Sequence, residues 1–195
     1  MTAAPDLRTR GRIGSVWSMH ALVIYESMFG DAAKVAASIG EGLTEVWGSP
    51  GDVVTVVEVG EAPTAVPDGV DLLVLGSPTH AFGLPRPNTR ADAATKGAGE
   101  VISANMGIRE WLAGATLPKG QPASAFDTRM DHPKTLTKLD HASRTTEKHL
   151  RKLGATLVTS AEHFFVVDTT GPLAPGEVER ARAWGVELGN TVRPA

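Results

Sequence analysis

The chain has 195 residues, of which 42% are hydrophobic, 21% charged and 5% aromatic, a profile that favours one globular domain over a disordered or repeat protein. It contains no cysteine, which excludes thiol catalysis and cysteine-bound metal clusters. The formal net charge of -3 is too balanced for electrostatic binding to nucleic acid or a membrane surface. With no apolar core of a secretory signal near the start, we expect a cytoplasmic protein that acts on small molecules.

Residues 1–18 contain Arg, Gly and Pro without a hydrophobic period, so we expect a flexible N-terminal extension followed by one domain over 19–195. Met19 stands directly before the first apolar run. An alternative is therefore that translation starts at Met19 and that the preceding residues are not translated. The sequence leaves both interpretations open.

From residue 21 onward, short apolar runs alternate with stretches of helical period, which is typical of a parallel sheet with helices on both faces. The apolar runs predict five strands, at 21–25, 53–59, 71–76, 123–127 and in a last block that joins LVTS to HFFVVD. The chain therefore belongs to the α/β class.

The first helix is predicted over 32–46, where apolar residues at spacings of four, four and three form one stripe. Between the second and third strands lie about a dozen residues that include two Pro and two Gly, so we expect that crossover helix to be short or missing. The polar stretch 84–104 is predicted to be a long connection, either a functional lid or an insert.

Three later helices are predicted over 107–113, 143–153 and 175–188. The second of these is expected to end at Gly154 and the third at Gly189, because glycine suits the left-handed cap. In the last helix the residues expected to share a buried face are Val178, Ala181, Gly185 and Leu188.

Ligands of open parallel sheets bind at the carboxyl ends of the strands, which directs attention to three loops. The first loop (26–31, ESMFGD) leads into the first helix, where backbone N–H groups can converge on an anion. The second loop (77–83, SPTHAFG) presents an imidazole, a phenyl ring and hydroxyls, which suit a planar aromatic ligand. The third loop (127–133, DTRMDHP) follows the fourth strand. By itself the first loop is a common strand-to-helix turn.

Together, the segments ES-MFGD, DLLVLGSPTHAFG, AFDTR and GPLAPGEVERARAWG resemble the flavodoxin family, in particular actinobacterial flavodoxin-like proteins, over roughly 19–189. The resemblance implies a doubly wound, five-stranded parallel sheet in the order 2-1-3-4-5 with helices on both faces. It also implies one noncovalent FMN, with its phosphate in the first loop and its ring between the second and third loops.

Position by position, the resemblance implies cofactor-binding residues in all three loops. On the phosphate loop these are Ser27, Met28, Phe29, Gly30, Asp31 and Ala32. On the first ring loop they are Pro78, Thr79, His80, Ala81, Phe82 and Gly83. On the second ring loop they are Asp127, Thr128, Arg129 and Met130.

The chain departs from the flavodoxin pattern in two ways. Asp31 stands where Thr or Asn is usual, and its carboxylate either faces the phosphate or caps the helix; we expect the cap, because Asp is favoured there. The ring loops contain no Trp or Tyr. Stacking would fall to His80, Phe82 or Met130, with His80 either tuning the flavin or serving as a polar loop residue.

We expect an FMN-binding protein that transfers electrons through its flavin, with no catalytic side chain and no metal. The alternatives are an NAD(P)H-dependent quinone-type oxidoreductase of the same fold and a module that has lost FMN and acts as a binding protein. The basic stretch 144–152 is either a solvated helix face or a surface for an acidic redox partner protein or NAD(P)H.

Overall fold

The computed structural model describes residues 18–80, 82–96, 101–131 and 142–193, which form six strands and five helices. The strands are His20–Tyr25 (β1), Val53–Glu58 (β2), Leu72–Pro78 (β3), Pro122–Met130 (β4), Thr156–Leu157 (β5) and Glu162–Val166 (β6). The helices are Asp31–Trp47 (α1), Pro87–Lys96 (α2), Ile108–Gly114 (α3), Ala142–Lys152 (α4) and Glu177–Val192 (α5).

All six strands are parallel, in the order β2-β1-β3-β4-β5. Strand β6 also pairs with β4, further along that strand than β5 does. β5 pairs the start of β4 and β6 pairs its second half, so β5 and β6 are two parts of one interrupted edge strand. The predicted order 2-1-3-4-5 is therefore confirmed. Both parts fall in the last predicted strand block.

Side chains of the central strands alternate between two hydrophobic cores, one on each face of the sheet. The core beneath α1 and α5 includes Val23, Val35, Ile39, Leu43, Trp47, Phe126, Phe164 and Leu188. The core beneath α3 and α4 includes Ile24, Leu73, Leu75, Ile108, Trp111 and Leu150. Helices thus cover both faces, as predicted.

Helices α1 and α5 approach so closely that glycine is required at their contact. A Cβ on Gly42 would lie 2.1 Å from the Arg182 carbonyl oxygen, and one on Gly185 would lie 2.3 Å from the Ile39 carbonyl oxygen. The predicted end of α5 at Gly189 is wrong, because the helix continues to Val192. Gly189 serves packing instead: its carbonyl accepts a hydrogen bond of 3.0 Å from Trp47 Nε1.

The expected buried face of α5 is correct in part. Ala181, Gly185 and Leu188 are buried, but Val178 is 43% exposed and Trp184 takes a place in the core. Val178 lies in the first turn of the helix, ahead of the segment that crosses α1. The predicted cap at Gly154 is confirmed, since this residue follows α4 with φ +89°.

The connection 84–104 contains α2, which the sequence did not predict. The reason is physical: of its side chains, Arg90 and Ala93 are the ones buried, so no apolar stripe marks the helix. Between β2 and β3 the chain forms no helix, as expected from its Pro and Gly content. Within the described ranges, every helix is too short or too polar to cross a lipid bilayer.

Candidate functional site

A cavity of about 390 Å³ opens where the chain leaves the carboxyl ends of β1, β3, β4 and β6. The loops after β1 and β3, the last residues of β4, one face of α2 and the end of β6 with the loop after it form its walls. The residues that line it are Ser27, Met28, Phe29, Asp31, Ala32, Pro78, Thr79, His80, Phe82, Thr89, Asp92, Ala93, Thr128, Arg129, Met130, Val166, Thr169 and Thr170. A volume of this size is within the range of small-ligand and cofactor sites.

In the first loop, Ser27 and not Asp31 accepts hydrogen bonds from the backbone N–H groups at the start of α1. Ser27 Oγ accepts hydrogen bonds from the backbone N–H groups of Gly30, at 3.1 Å, and Ala33, at 3.4 Å. The N-cap residue is Gly30, with φ 101°, and no side chain caps the helix through it. The expectation that Asp31 caps α1 is therefore wrong: Asp31 is the first helical residue, one position too far along the chain.

The Asp31 carboxylate is turned towards the loop after β6. It lies 3.8 Å from Lys34 Nζ and accepts a hydrogen bond from the Leu173 backbone. Gly171 is so close that an added Cβ would lie 2.1 Å from Asp31 Oδ2. Burial raises the pKa of this carboxyl, and Lys34 and the Leu173 hydrogen bond counteract the effect only in part.

A chain segment after α2 lies against the first loop. Ser103 N donates to the Ser27 carbonyl oxygen at 2.9 Å, and Ser27 N donates to Ser103 Oγ at 3.0 Å. Met28 is 2% exposed and packs with Ala93 and Val101 in a small apolar cluster. We call α2 together with residues 101–103 the cover segment, because it packs over the first loop.

An ion cluster beneath the cover segment fixes α2 to the sheet. Arg90 is 3% exposed, and its Nη1 lies 3.0 Å from Glu110 Oε2 and 3.5 Å from Glu26 Oε1. Glu26 Oε2 also accepts a hydrogen bond of 2.9 Å from the Ile108 backbone at the start of α3. Burial raises the pKa of Glu26 to about 7, against the lowering effects of Ile108 and Arg90.

The second loop forms a tight turn that holds an aromatic ring at the cavity. His80 and Gly83 exchange two backbone hydrogen bonds, of 2.9 and 3.0 Å. Phe82, inside this turn, has φ 65°, a left-handed conformation that favours glycine. The residue is 49% exposed although it lines the cavity. The turn therefore presents Phe82 to the cavity in spite of an unfavourable backbone.

The third loop divides its residues between the cavity and the protein interior. Thr128, Arg129 and Met130 line the cavity. Asp127 is fully buried and lies behind them: its Oδ1 lies 3.0 Å from His163 Nδ1 and 3.7 Å from Arg129 Nε. Asp127 therefore positions Arg129 and does not line the cavity itself.

The structure brings most of the predicted site residues to one cavity. Of the others, Gly30, Gly83 and Asp127 do not line it, and Ala81 lies outside the described residues, as does the part of the third loop from His132. The sequence missed the cavity residues of α2, which carry no local signal. Val166, Thr169 and Thr170 could have been found, because they follow the last strand at the same edge of the sheet.

No protein-family model matches the chain, and no curated protein matches its sequence. Among solved structures it is similar to a flavodoxin from the domain Archaea, at 16% identity and TM-score 0.57 over 89% of this chain and 99% of that chain. It is also similar to oxidised Flavodoxin 1 from Bacillus cereus, at 17% identity and TM-score 0.59 over 88% and 97%. A third is the flavodoxin, WrbA-like protein from Agrobacterium tumefaciens, at 18% identity and TM-score 0.52 over 90% and 98%. The chain thus has the flavodoxin-like fold.

Proposed function

We propose that the chain is a redox protein that binds a flavin noncovalently in this cavity and transfers electrons through it. FMN is the flavin that the flavodoxin resemblance implies. The observation that carries the proposal is the convergence of the loops after β1 and β3 and the end of β4 on one cavity. Solved structures of the same fold that are named flavodoxins support it further.

The residues of the second and third loops suit the ring of a flavin. His80 and Phe82 come from one loop, and Arg129 and Met130 come from the other, so planar and polarizable side chains border the cavity from both. Thr79 lines it too, and its Oγ1 is enclosed without a hydrogen-bond partner among the described residues. A polar group of a ligand would satisfy this hydroxyl.

A bound flavin would supply electron transfer, and the protein would bind it, orient it and set its potential. His80 would contribute to setting that potential, because its imidazole lines the cavity from the second loop. Arg129, held by Asp127, would add a positive charge beside the ring loops. At the first loop, the fit to a phosphate is poor, since carboxylates and apolar side chains stand there.

Titration with FMN tests the proposal directly. We expect flavin fluorescence to be quenched by the full chain at micromolar protein, because the ring would be enclosed between aromatic and polar walls. The matched variants are Phe82→Ala, which removes a cavity ring, and Val178→Ala, which shortens an exposed side chain that does not line the cavity. Unquenched fluorescence of both FMN and riboflavin at tens of micromolar protein would favour the third possibility, a binding module without flavin.

A second candidate is an NAD(P)H-dependent quinone-type oxidoreductase of the same fold. The observation that favours it is the cover segment, since Thr89, Asp92 and Ala93 add a wall on which a second substrate could rest. Flavin-dependent oxidation of NADPH by a soluble quinone would separate the two functions. An electron-transfer protein should show no saturable dependence on the quinone concentration.

A further inference from the structure

The end of the cavity at the first loop and α2 is acidic. Asp31, which is 8% exposed, lines it from the first turn of α1. Asp92 lines it from α2, one helical turn after Thr89 and next to Ala93, so these three residues occupy one face of the helix. Both carboxylates oppose the approach of a phosphate dianion, the buried Asp31 more strongly than the exposed Asp92, because like charges repel more strongly where water is excluded.

Among the described residues, the neighbouring cations offset these carboxylates only in part. Lys34 Nζ lies 3.8 Å from Asp31, but it is 62% exposed and does not line the cavity. Arg90, on α2, is 3% exposed and bound to Glu26 and Glu110 beneath the helix. Arg129 lines the cavity from the third loop, where it pairs with Asp127.

The hydrogen-bond donors of the first loop are also partly used. Ser27 Oγ accepts hydrogen bonds from the N–H groups of Gly30 and Ala33. Without these bonds, the two N–H groups could donate to an anion at the start of α1. Met28 is turned into the apolar cluster of the cover segment, and Phe29 packs against the same cluster. Two of the backbone donors that a phosphate could use at this helix start are therefore already engaged.

What this end does offer is hydroxyl groups and carboxylate acceptors. Thr89 of α2 and Thr169 and Thr170 of the loop after β6 line the cavity. Gly171, the next residue, lies against the Asp31 carboxylate, so the two threonines belong to the acidic end. Threonine hydroxyls and carboxylates together suit a neutral chain of hydroxyl groups, which can donate to the carboxylates and exchange hydrogen bonds with the threonines.

We propose that this end of the cavity selects a flavin with an uncharged polyhydroxyl tail over one with a terminal phosphate. The inference rests on the proposed function in that it takes a flavin as the ligand. It identifies Asp31 and Asp92 as specificity-determining residues. Riboflavin then binds at least as tightly as FMN, and the phosphate contributes nothing to affinity.

The test is a pair of titrations of the full chain, with riboflavin and with FMN, followed by flavin fluorescence and by calorimetry. We expect the Kd for FMN to equal or exceed the Kd for riboflavin. Asp92→Asn should tighten FMN binding about tenfold and leave riboflavin binding within about twofold, because one of the opposing charges is removed without a change of size. Asp31→Asn should act in the same direction.

Asp68→Asn is the matched control, since Asp68 is exposed between β2 and β3 and does not line the cavity. It makes the same change in net charge and should leave the ratio of the two Kd values unchanged. FMN binding that is reproducibly tighter than riboflavin binding in the unmodified chain would overturn the inference and leave the proposed function standing. Failure of both flavins to bind would overturn the two together. Because Asp92 is exposed on the surface of α2, its variant tests the charge without a risk to folding.

Discussion

Phe82 combines two features that are rarely found together in a residue without a role in binding. The residue is 49% exposed, and its backbone has φ 65°, which costs a residue with a side chain roughly 1 kcal/mol or more. Strained, exposed aromatic residues are typical of ligand sites, where the surrounding structure holds them in place. Here the His80–Gly83 hydrogen bonds hold the turn.

We predict that Phe82→Gly and Phe82→Ala both weaken flavin binding, by about tenfold, because each removes the ring. If only lost contacts mattered, Phe82→Gly would be the less stable of the two variants, because it removes one more carbon atom. We expect the opposite order. Phe82→Gly should be more stable than Phe82→Ala by roughly 1 kcal/mol, since only glycine relieves the left-handed backbone. Urea unfolding measures the second effect and a flavin titration the first. Equal affinity in all three proteins would remove Phe82 from the site.

Glu26 makes the stability of the protein depend on pH. Its pKa rises from 4.5 to about 7 on folding, chiefly through burial, so the folded state binds a proton more tightly than the unfolded state. The stability that this proton contributes is present at low pH and is lost as the pH rises from about 4.5 to about 7.

We therefore predict that Glu26→Gln, which cannot ionise, gains stability relative to the unmodified chain by about 3 kcal/mol between pH 4.5 and pH 8. Part of any difference at a single pH comes from the altered contact with Arg90, so the change with pH is the quantity to measure. Urea unfolding at several pH values gives it. Parallel stability profiles for the two proteins would show that Glu26 does not titrate in this range.

The contact between α1 and α5 depends on glycines at the crossing. A Cβ on Gly42 would lie 2.1 Å from the Arg182 carbonyl oxygen and 2.9 Å from Val186 N, and backbone atoms cannot rotate away as a side chain would. The helices would have to separate and would loosen the core that contains Trp47 and Trp184. Sequence patterns alone mark neither helix as one that needs this closeness.

We predict that Gly42→Ala lowers the free energy of unfolding by about 2 kcal/mol, the overpacking cost exceeding the better helix propensity of alanine. Gly114→Ala in α3 is the matched control, because a Cβ there meets nothing within 4 Å. It should be neutral or slightly stabilising. A Gly42→Ala protein as stable as the control would show that α1 and α5 can move apart without cost.

The whole domain is predicted to fold without the first 18 residues. Met19 N donates to Asp52 Oδ1 at 2.7 Å, and the amino group of a chain that starts at Met19 can still donate there. We expect the shortened protein to have a melting temperature within about 2 °C of the full chain and an unchanged affinity for flavin. A large fall in melting temperature would assign residues 1–18 to the fold.

Local sequence patterns were sufficient to predict the sheet and three of the segments that form the walls of the cavity. The strands are apolar runs, and strand-end loops such as 26–31 and 77–83 are recognisable because the carboxyl edge of a parallel sheet is set by chain direction. Helix α2 was not predicted because a buried charged residue, Arg90, attaches it to the sheet in place of an apolar stripe.

The local chemistry of single residues was decided by contacts that are distant in sequence. Aspartate is a residue type that commonly caps helices, but at the start of α1 Ser27 takes that role instead of Asp31. The Asp31 carboxylate turns to a loop 140 residues later, at Gly171 and Leu173. Glycine is a residue type that commonly ends helices, but Gly189 lies inside α5, where its carbonyl oxygen accepts a hydrogen bond from Trp47 Nε1. The sequence by itself determined the fold class and the edge of the sheet where the cavity opens, because both follow from periodicity and chain direction. Only the tertiary structure decided which charges and hydroxyls stand at that edge, because side chains from separate segments compete there for the same partners.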